Sequence, residues 1–184
     1  MIMKKHTLAG LAILLAANLA WAGGYRLALK ASYFSGEDAN FRDIYGGAAK
    51  FGLEAGLDIA ANLSIWAGVD TVHKTGSLTV SLEETKVWIT PIGAGLRYDI
   101  PSGGKFLFHV KAGIQDVFFK EENVIGTASE SALGLIAGAG AAYWITDMIS
   151  LGVFASWSTC KMSHNGVDFK SGGVDLGGAV GIRF

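Results

Sequence analysis

The side chains able to carry covalent or acid–base chemistry are few and scattered: His73, His109, His164, Cys160 and Ser163. A nucleophile needs its base within hydrogen-bond reach, yet Ser163 and His164 are adjacent, and neighbours in a strand point to opposite faces. Past residue 22, the three dispersed histidines and one cysteine also lack the ligand spacing of a metal site. No catalytic, metal or cofactor site is predicted. The ionic residues are more orderly. Arg26, Lys30, Lys50, Glu54, Asp58, Asp70, Arg97, Asp99, His109 and Lys111 all fall on the same parity of apolar-polar segments. If Tyr25 faces Ile59, then Arg26 faces Asp58 and Lys30 faces Glu54, two cross-strand pairs of opposite charge. With Arg97 and Lys111 these residues predict a charge-paired interior, because buried ions need partners. The competing reading is an ion-conducting pathway.

Positioning such a set requires strands, and two-residue alternation runs along most of the chain. Tyr25, Leu27, Leu29, Ala31 and Tyr33 share one face; Phe51, Leu53, Ala55, Leu57 and Ile59 repeat the pattern. Six further segments do the same, ending with Val174, Leu176, Val180, Ile182 and Phe184, for eight strands in all. Pro91 removes a ladder donor, so a bulge or the end of regular pairing is expected there. The connections alternate in length. Residues 60–62, 101–104 and 145–148 are tight, whereas 36–47, 73–84, 120–130 and 159–173 are long and polar. Tyr25, Tyr98, Phe106, Tyr143 and Phe184 lie at the short-turn ends of the apolar face, and Tyr33, Phe51 and Trp157 near the long-loop ends. Loop asymmetry and two aromatic belts predict a closed eight-stranded antiparallel transmembrane β-barrel, an up-and-down meander. A soluble barrel would turn its apolar face inward and give the belts no purpose.

The N-terminus agrees with export. Lys4 and Lys5 precede a short apolar stretch that ends at Ala20-Trp21-Ala22, which predicts a cleaved secretory signal over residues 1–22 and a barrel over 23–184. Asn18 interrupts the stretch before it reaches the ~20 apolar residues of a helical span. Of the 15 basic and 16 acidic side chains, only Lys4 and Lys5 lie in the leader, so the mature chain is slightly acidic. No clustered basic surface points to nucleic acid. The lone Cys160 cannot form an internal disulfide.

The stretch from Gly173 to Phe184, with Phe184, Ile182, Val180 and Leu176 at alternate positions, resembles the closing strand of Gram-negative outer-membrane proteins. Together with the leader and eight strands, it makes residues 23–184 similar to the superfamily of OmpA transmembrane domains, OmpX, Ail and opacity-type porins. The resemblance implies a bacterial outer-membrane location, outer-membrane lipids as surroundings, and recognition of Phe184, Ile182 and Val180 by the barrel assembly machinery. A periplasmic peptidoglycan-binding domain is not expected, and Ser163-His164-Asn165 does not match the His-x-Ser-Asn order of lipid A deacylase barrels. An eight-stranded barrel holds its own side chains or one small ligand, so a general porin is not expected. Inward Gly134, Gly138, Gly140, Gly152, Gly177 and Gly181 leave room that long side chains from the opposite wall should fill.

Function is therefore expected at the surface, a structural or surface-interaction role through the long loops. Phe41, Arg42, Tyr45, Lys161, His164 and Phe169 are the loop groups available to a surface ligand. The alternative is a lipid-handling or narrow-channel barrel. Residues 73–90 form either a protruding hairpin or an inward plug. Deleting Phe184 should slow membrane insertion and raise periplasmic degradation, measured by pulse-chase in cells; unchanged insertion kinetics would refute an assembly role for this residue.

Overall fold

The computed structural model describes residues 24–77, 84–124, 126–164 and 167–184, so the leader assigned to residues 1–22 lies outside the described residues. In chain order the elements are β1 (Tyr25–Gly36), α1 (Ala39–Tyr45), β2 (Gly47–Ala60), β3 (Leu63–Ser77), β4 (Glu84–Pro101), β5 (Phe106–Asn123), β6 (Gly126–Trp144), β7 (Ile149–His164), β8 (Val167–Lys170) and β9 (Gly173–Arg183). Each of β1 to β7 pairs antiparallel with the next, β7 pairs with β9, and β9 pairs with β1. Eight strands thus close into a barrel, with β8 added beside β7 at the long-loop rim.

Alternation decides which side faces out. Leu29, Phe51, Leu133 and Val153 are all more than half exposed on the outer wall, while Lys50, Glu54, Lys111 and Asp175 are buried inside. No helix among the described residues is long and apolar enough to cross a membrane. At Pro91 the pairing of β4 with β3 lapses between Ile92 and Ile89 without a change of register, as the missing N–H dictates. Gly103 and Gly104 take φ of 73° and 70° in the β4–β5 turn, a left-handed conformation that side chains other than glycine resist.

Two expectations about loops and register need correction. Residues 120–130 are mostly strand, because β5 and β6 stay paired to Asn123↔Gly126. Past the lipid the ladder still satisfies its own backbone, but both faces there are polar and the alternation signal fades. Likewise β3 and β4 remain paired up to Ser77↔Glu84, so this segment protrudes as a hairpin; residues 78–83 at its tip lie outside the described set. The β1–β2 register differs by two from the expected one. Tyr25 lies opposite Leu57, Arg26 opposite Gly56 and Lys30 opposite Gly52. A shift of two preserves the faces, which is why the outer wall remained legible.

The long-loop rim is ordered by a small cap. Asp38 accepts from the backbone N–H of Asn40 and Phe41 at 2.9 and 3.3 Å, starting α1. Gly46, at φ 63°, ends it by donating to Arg42 O. The helix places Phe41 against Phe34 and Tyr45. Tyr45 is buried, with its hydroxyl 3.0 Å from Thr85 Oγ1, and burial raises its pKa above the usual phenol value.

Glu37 clasps the first loop to the last. Lys170 Nζ donates to it at 2.7 Å and Thr159 Oγ1 at 3.1 Å. These bonds, the one from Lys170 first, hold the Glu37 carboxyl below its ordinary value. A depressed folded-state pKa means the clasp is complete above the usual carboxylate pKa of about 4.3 and is lost as pH falls through the lower folded value. Amide protection of the first and last loops, taken relative to Glu37→Gln at the same pH, should therefore hold from neutral pH to about 5 and converge on that of the variant below about 4. A wild-type profile that overlays that of Glu37→Gln would refute the clasp.

Candidate functional site

The interior is built in tiers. Nearest the short turns, Arg26 on β1 pairs with Asp58 on β2 and, at 2.5 Å, with Asp99 on β4, which also accepts from Arg97 Nε at 2.8 Å. One tier above, Lys30 reaches Glu54 at 3.4 Å and Asp70 at 2.9 Å. Lys111 reaches Glu54 at 2.5 Å, and Lys50 reaches Asp70 at 3.7 Å and Asp175 at 3.0 Å. Five cations and five carboxylates neutralise one another across β1 to β5 and β9. Because Arg26 and Lys30 are long, both expected pairs, Arg26 with Asp58 and Lys30 with Glu54, form diagonally despite the shifted register.

Asp175 is the member that sequence reasoning missed. It is 1% exposed and also accepts from Ser156 Oγ at 3.1 Å. Its signal was available, since Asp175 alternates with Val174 and Leu176, but it is a single charge among the glycines of the closing strand. Trp66 is buried in the same tier, with Nε1 donating to Leu96 O at 3.2 Å and Lys111 Nζ 4.6 Å from the ring centroid. His109 lies against Gly140, where a Cβ would come within 2.6 Å of the imidazole. The space at Gly140 is thus taken by a neighbouring strand's side chain, in place of the opposite-wall filling expected. A cavity of about 70 Å³ remains here, lined by Arg26, Lys30, Arg97, His109, Trp144 and Phe154 among others, large enough only for a few water molecules.

Above the ions the inward face turns apolar. Phe34, Val72, Val87, Ile89, Val117, Phe119, Cys160 and Met162 form a buried cluster capped by Tyr45 from α1. Cys160 sits inside it, its thiol 3.2 Å from Ala132 O. Over this plug opens a cleft of about 430 Å³, walled by Phe41, Ile44 and Tyr45 of α1, Phe119 and Ala128 of the β5–β6 hairpin, and Phe169 of β8. Its rim carries Asp38, Glu121, Glu130 and Lys170. Of the loop groups singled out in the sequence, Phe41, Tyr45 and Phe169 converge on the cleft. Arg42 turns to the carbonyls of Gly36 and Glu37, and Lys161 stands on the outer wall. The side chain of His164 lies outside the described residues. No metal-ligating cluster occurs among the described residues.

Phe184 sits at the closing seam of β1 and β9. Its N–H donates to Tyr25 O at 2.9 Å, and the Tyr25 N–H donates back to Phe184 O at 3.2 Å. Ile182 and Val180 pair with Leu27 and Leu29. Their side chains face outward, so the terminal pattern is presented on the lipid side.

Comparison with known proteins places this arrangement. The family described as outer membrane protein beta-barrel domain matches residues 7–184. Among solved structures, Neisserial surface protein A is similar at 15% identity and a TM-score of 0.70, over 88% of this chain and 97% of that one. Ail of Yersinia pestis, in complex with the heparin analogue sucrose octasulfate, is similar at 16% identity and a TM-score of 0.57, over 88% and 99%. The N-terminal β-barrel domain of Pseudomonas aeruginosa OprF is similar at 15% and 0.57, over 88% and 97%. At these identities the likeness concerns the fold. No curated protein sequence matches.

Glu54 is the carboxylate shared by Lys30 and Lys111, so its removal takes from Lys111 its one ion pair among the described residues and leaves it over the Trp66 ring. Glu54→Ala should lower unfolding stability in lipid vesicles by about 3 kcal/mol, the usual loss on breaking a buried pair. The double change Glu54→Ala with Lys111→Met should recover part of it. A urea titration of the folded barrel reads this, and an unchanged midpoint for Glu54→Ala would remove the network from the account of stability.

Proposed function

The chain belongs to the outer membrane protein beta-barrel domain family, and on that premise we propose that it is a surface-interaction barrel whose loop cleft receives an apolar group. It resides in the bacterial outer membrane, with the long loops outside the cell. The cleft itself carries the reading. About 430 Å³ falls in the range of small-molecule sites, and apolar walls with a few polar rim groups are their usual composition. Below it, the apolar plug and the ion tiers leave no comparable space among the described residues, which favours the cleft over a conducting lumen. The rim narrows the ligand further. Three acidic groups against one lysine make it a poor seat for a polyanion such as the sulfated sugar in the Ail complex. Phe41 and Phe169 are the anchors of the cleft.

Indole, a small and weakly soluble aromatic, is a suitable probe. Titrated into the mature protein in phosphatidylcholine nanodiscs, it should shift the methyl resonances of Ile44 and Ala128, and Phe41→Ser should weaken the response at least about tenfold, as expected for loss of an aromatic anchor. If Ile44 and Ala128 stay fixed, or if the wild type conducts ions steadily across a planar bilayer, the cleft reading fails and the narrow-channel reading gains.

A further inference from the structure

The cleft over the apolar plug is walled by aromatic rings in two pairs. Phe41 and Tyr45 of α1 lie 5.0 Å apart between centroids, and Phe119 of β5 and Phe169 of β8 lie 5.1 Å apart. An aromatic ring is negative over its faces and attracts cations there. Elsewhere the chain satisfies this attraction itself: Lys30, Lys50, Lys111, Lys120 and Arg183 stand over the rings of Phe154, Phe34, Trp66, Trp88 and Trp144. Of the five cations so placed among the described residues, none stands over a ring of the cleft.

The charges at the mouth have the same sign as the ring faces. Asp38 and Glu121 both border the cleft, and the hydrogen bonds that hold them come from neutral donors. Asp38 Oδ1 accepts from the backbone N–H of Asn40 and Phe41, Asp38 Oδ2 from that of Lys170 at 3.5 Å, and Glu121 Oε1 from Thr85 Oγ1 at 3.0 Å. Such bonds orient a carboxylate and leave its charge in place. The ion pairs among the described residues include neither group. The basic group of the rim, Lys170, is already neutralised by Glu37 at 2.7 Å, and Arg42 is engaged with the carbonyls of Gly36 and Glu37. A cleft with charges of one sign and apolar walls focuses its field into the opening and concentrates ions of the other sign there.

We propose that the ligand of the cleft is an organic cation with an apolar body, an ammonium carrying an aromatic or short alkyl group. Its charge is held at the rim by Asp38 and Glu121, and its body lies among Phe41, Tyr45, Phe119 and Phe169. The proposal rests on the cleft reading above and adds the charge of the ligand. A neutral apolar solute gains the same burial, but a cation also gains from the ring faces and the carboxylates, and an anion of the same shape is repelled by both.

The test uses the mature protein in nanodiscs of phosphatidylcholine, whose zwitterionic surface favours neither sign of charge. Benzyltrimethylammonium and phenylmethanesulfonate, two probes with one ring and opposite charge, are titrated separately while the methyl resonances of Ile44 and Ala128 are followed. The ammonium should shift both and bind at least about tenfold tighter than the sulfonate, and added salt should narrow the gap. Asp38→Asn with Glu121→Gln removes both charges and keeps the hydrogen bonds, because asparagine caps a helix as well as aspartate and the glutamine carbonyl can still accept from Thr85. That double variant should lower ammonium affinity at least about fivefold more than it lowers indole affinity. Equal binding of the two charged probes, with indole still shifting Ile44 and Ala128, overturns the cation reading and leaves the cleft standing. Absence of any shift with indole and with the ammonium overturns the two together, and a preference for the ammonium that the double variant does not diminish overturns the seat assigned to its charge.

Discussion

Everything in this protein follows from one constraint, that a backbone crossing lipid must satisfy its own hydrogen bonds. An open sheet would leave two edges of unpaired N–H and C=O groups, so β9 must return to β1. The bonds between Tyr25 and Phe184 complete the ring at its short-turn seam. Once the ring is closed, the side chains have only two destinations. The outer set becomes Leu, Val, Ile and the aromatic belts, and the inner set is free to be polar. The same constraint explains where the ladder is allowed to fail. β6 and β7 separate only beyond Gly134 and Cys160, past the aromatic belt, where water and headgroups can meet the exposed edges.

The lumen resolves a second problem, how to fill a tube too narrow for solvent yet lined by charge. Isolated ions there would be far too costly, and pairing alone does not secure a net gain over apolar packing. Connection does more than pairing. Glu54 serves Lys30 and Lys111, Asp70 serves Lys30 and Lys50, and Asp99 serves Arg26 and Arg97, so six of the ten ions have two partners on different strands. Such links tie β1, β2, β3, β4, β5 and β9 at fixed heights, which fixes register across the barrel more firmly than the sparse side chains of β6 and β7 could.

Much of this was legible in the sequence, and the reasons for the exceptions are physical. Period-two alternation is an intrinsic property of a strand, so the outer wall, the closure and the charged inner face could be read from residue types alone. Register was not, because it depends on the connection; β1 and β2 are joined through α1 and its caps, whose geometry is invisible to alternation. Arg26 and Lys30 still reach Asp58 and Glu54, since their side chains span the diagonal. The extended β5–β6 hairpin escaped because Glu121, Glu122, Ser129 and Glu130 give no apolar face to read. The cleft escaped for another reason. Phe41, Tyr45, Phe119 and Phe169 lie far apart in sequence and meet only through α1 and β8, two short elements whose positions are set by tertiary contacts.

The division of the lumen into an ionic lower part and an apolar upper part bears directly on where function can reside. Were the apolar cluster absent, the loops would stand over a water-filled mouth, and α1 would have nothing to pack on. Phe34, Val72, Val87, Ile89 and Val117 supply a floor, Tyr45 anchors the helix to it through Thr85, and Glu37 with Lys170 ties the helix end to β8. The cap is thus a small soluble-type core set on top of a membrane barrel, and its cleft is a preformed feature of that core. A preformed apolar cleft loses little ordering entropy on binding, which makes a rigid barrel a better host for it than mobile loops. The ionic tiers hold the strands, the strands hold the floor, and the floor holds the walls of the site.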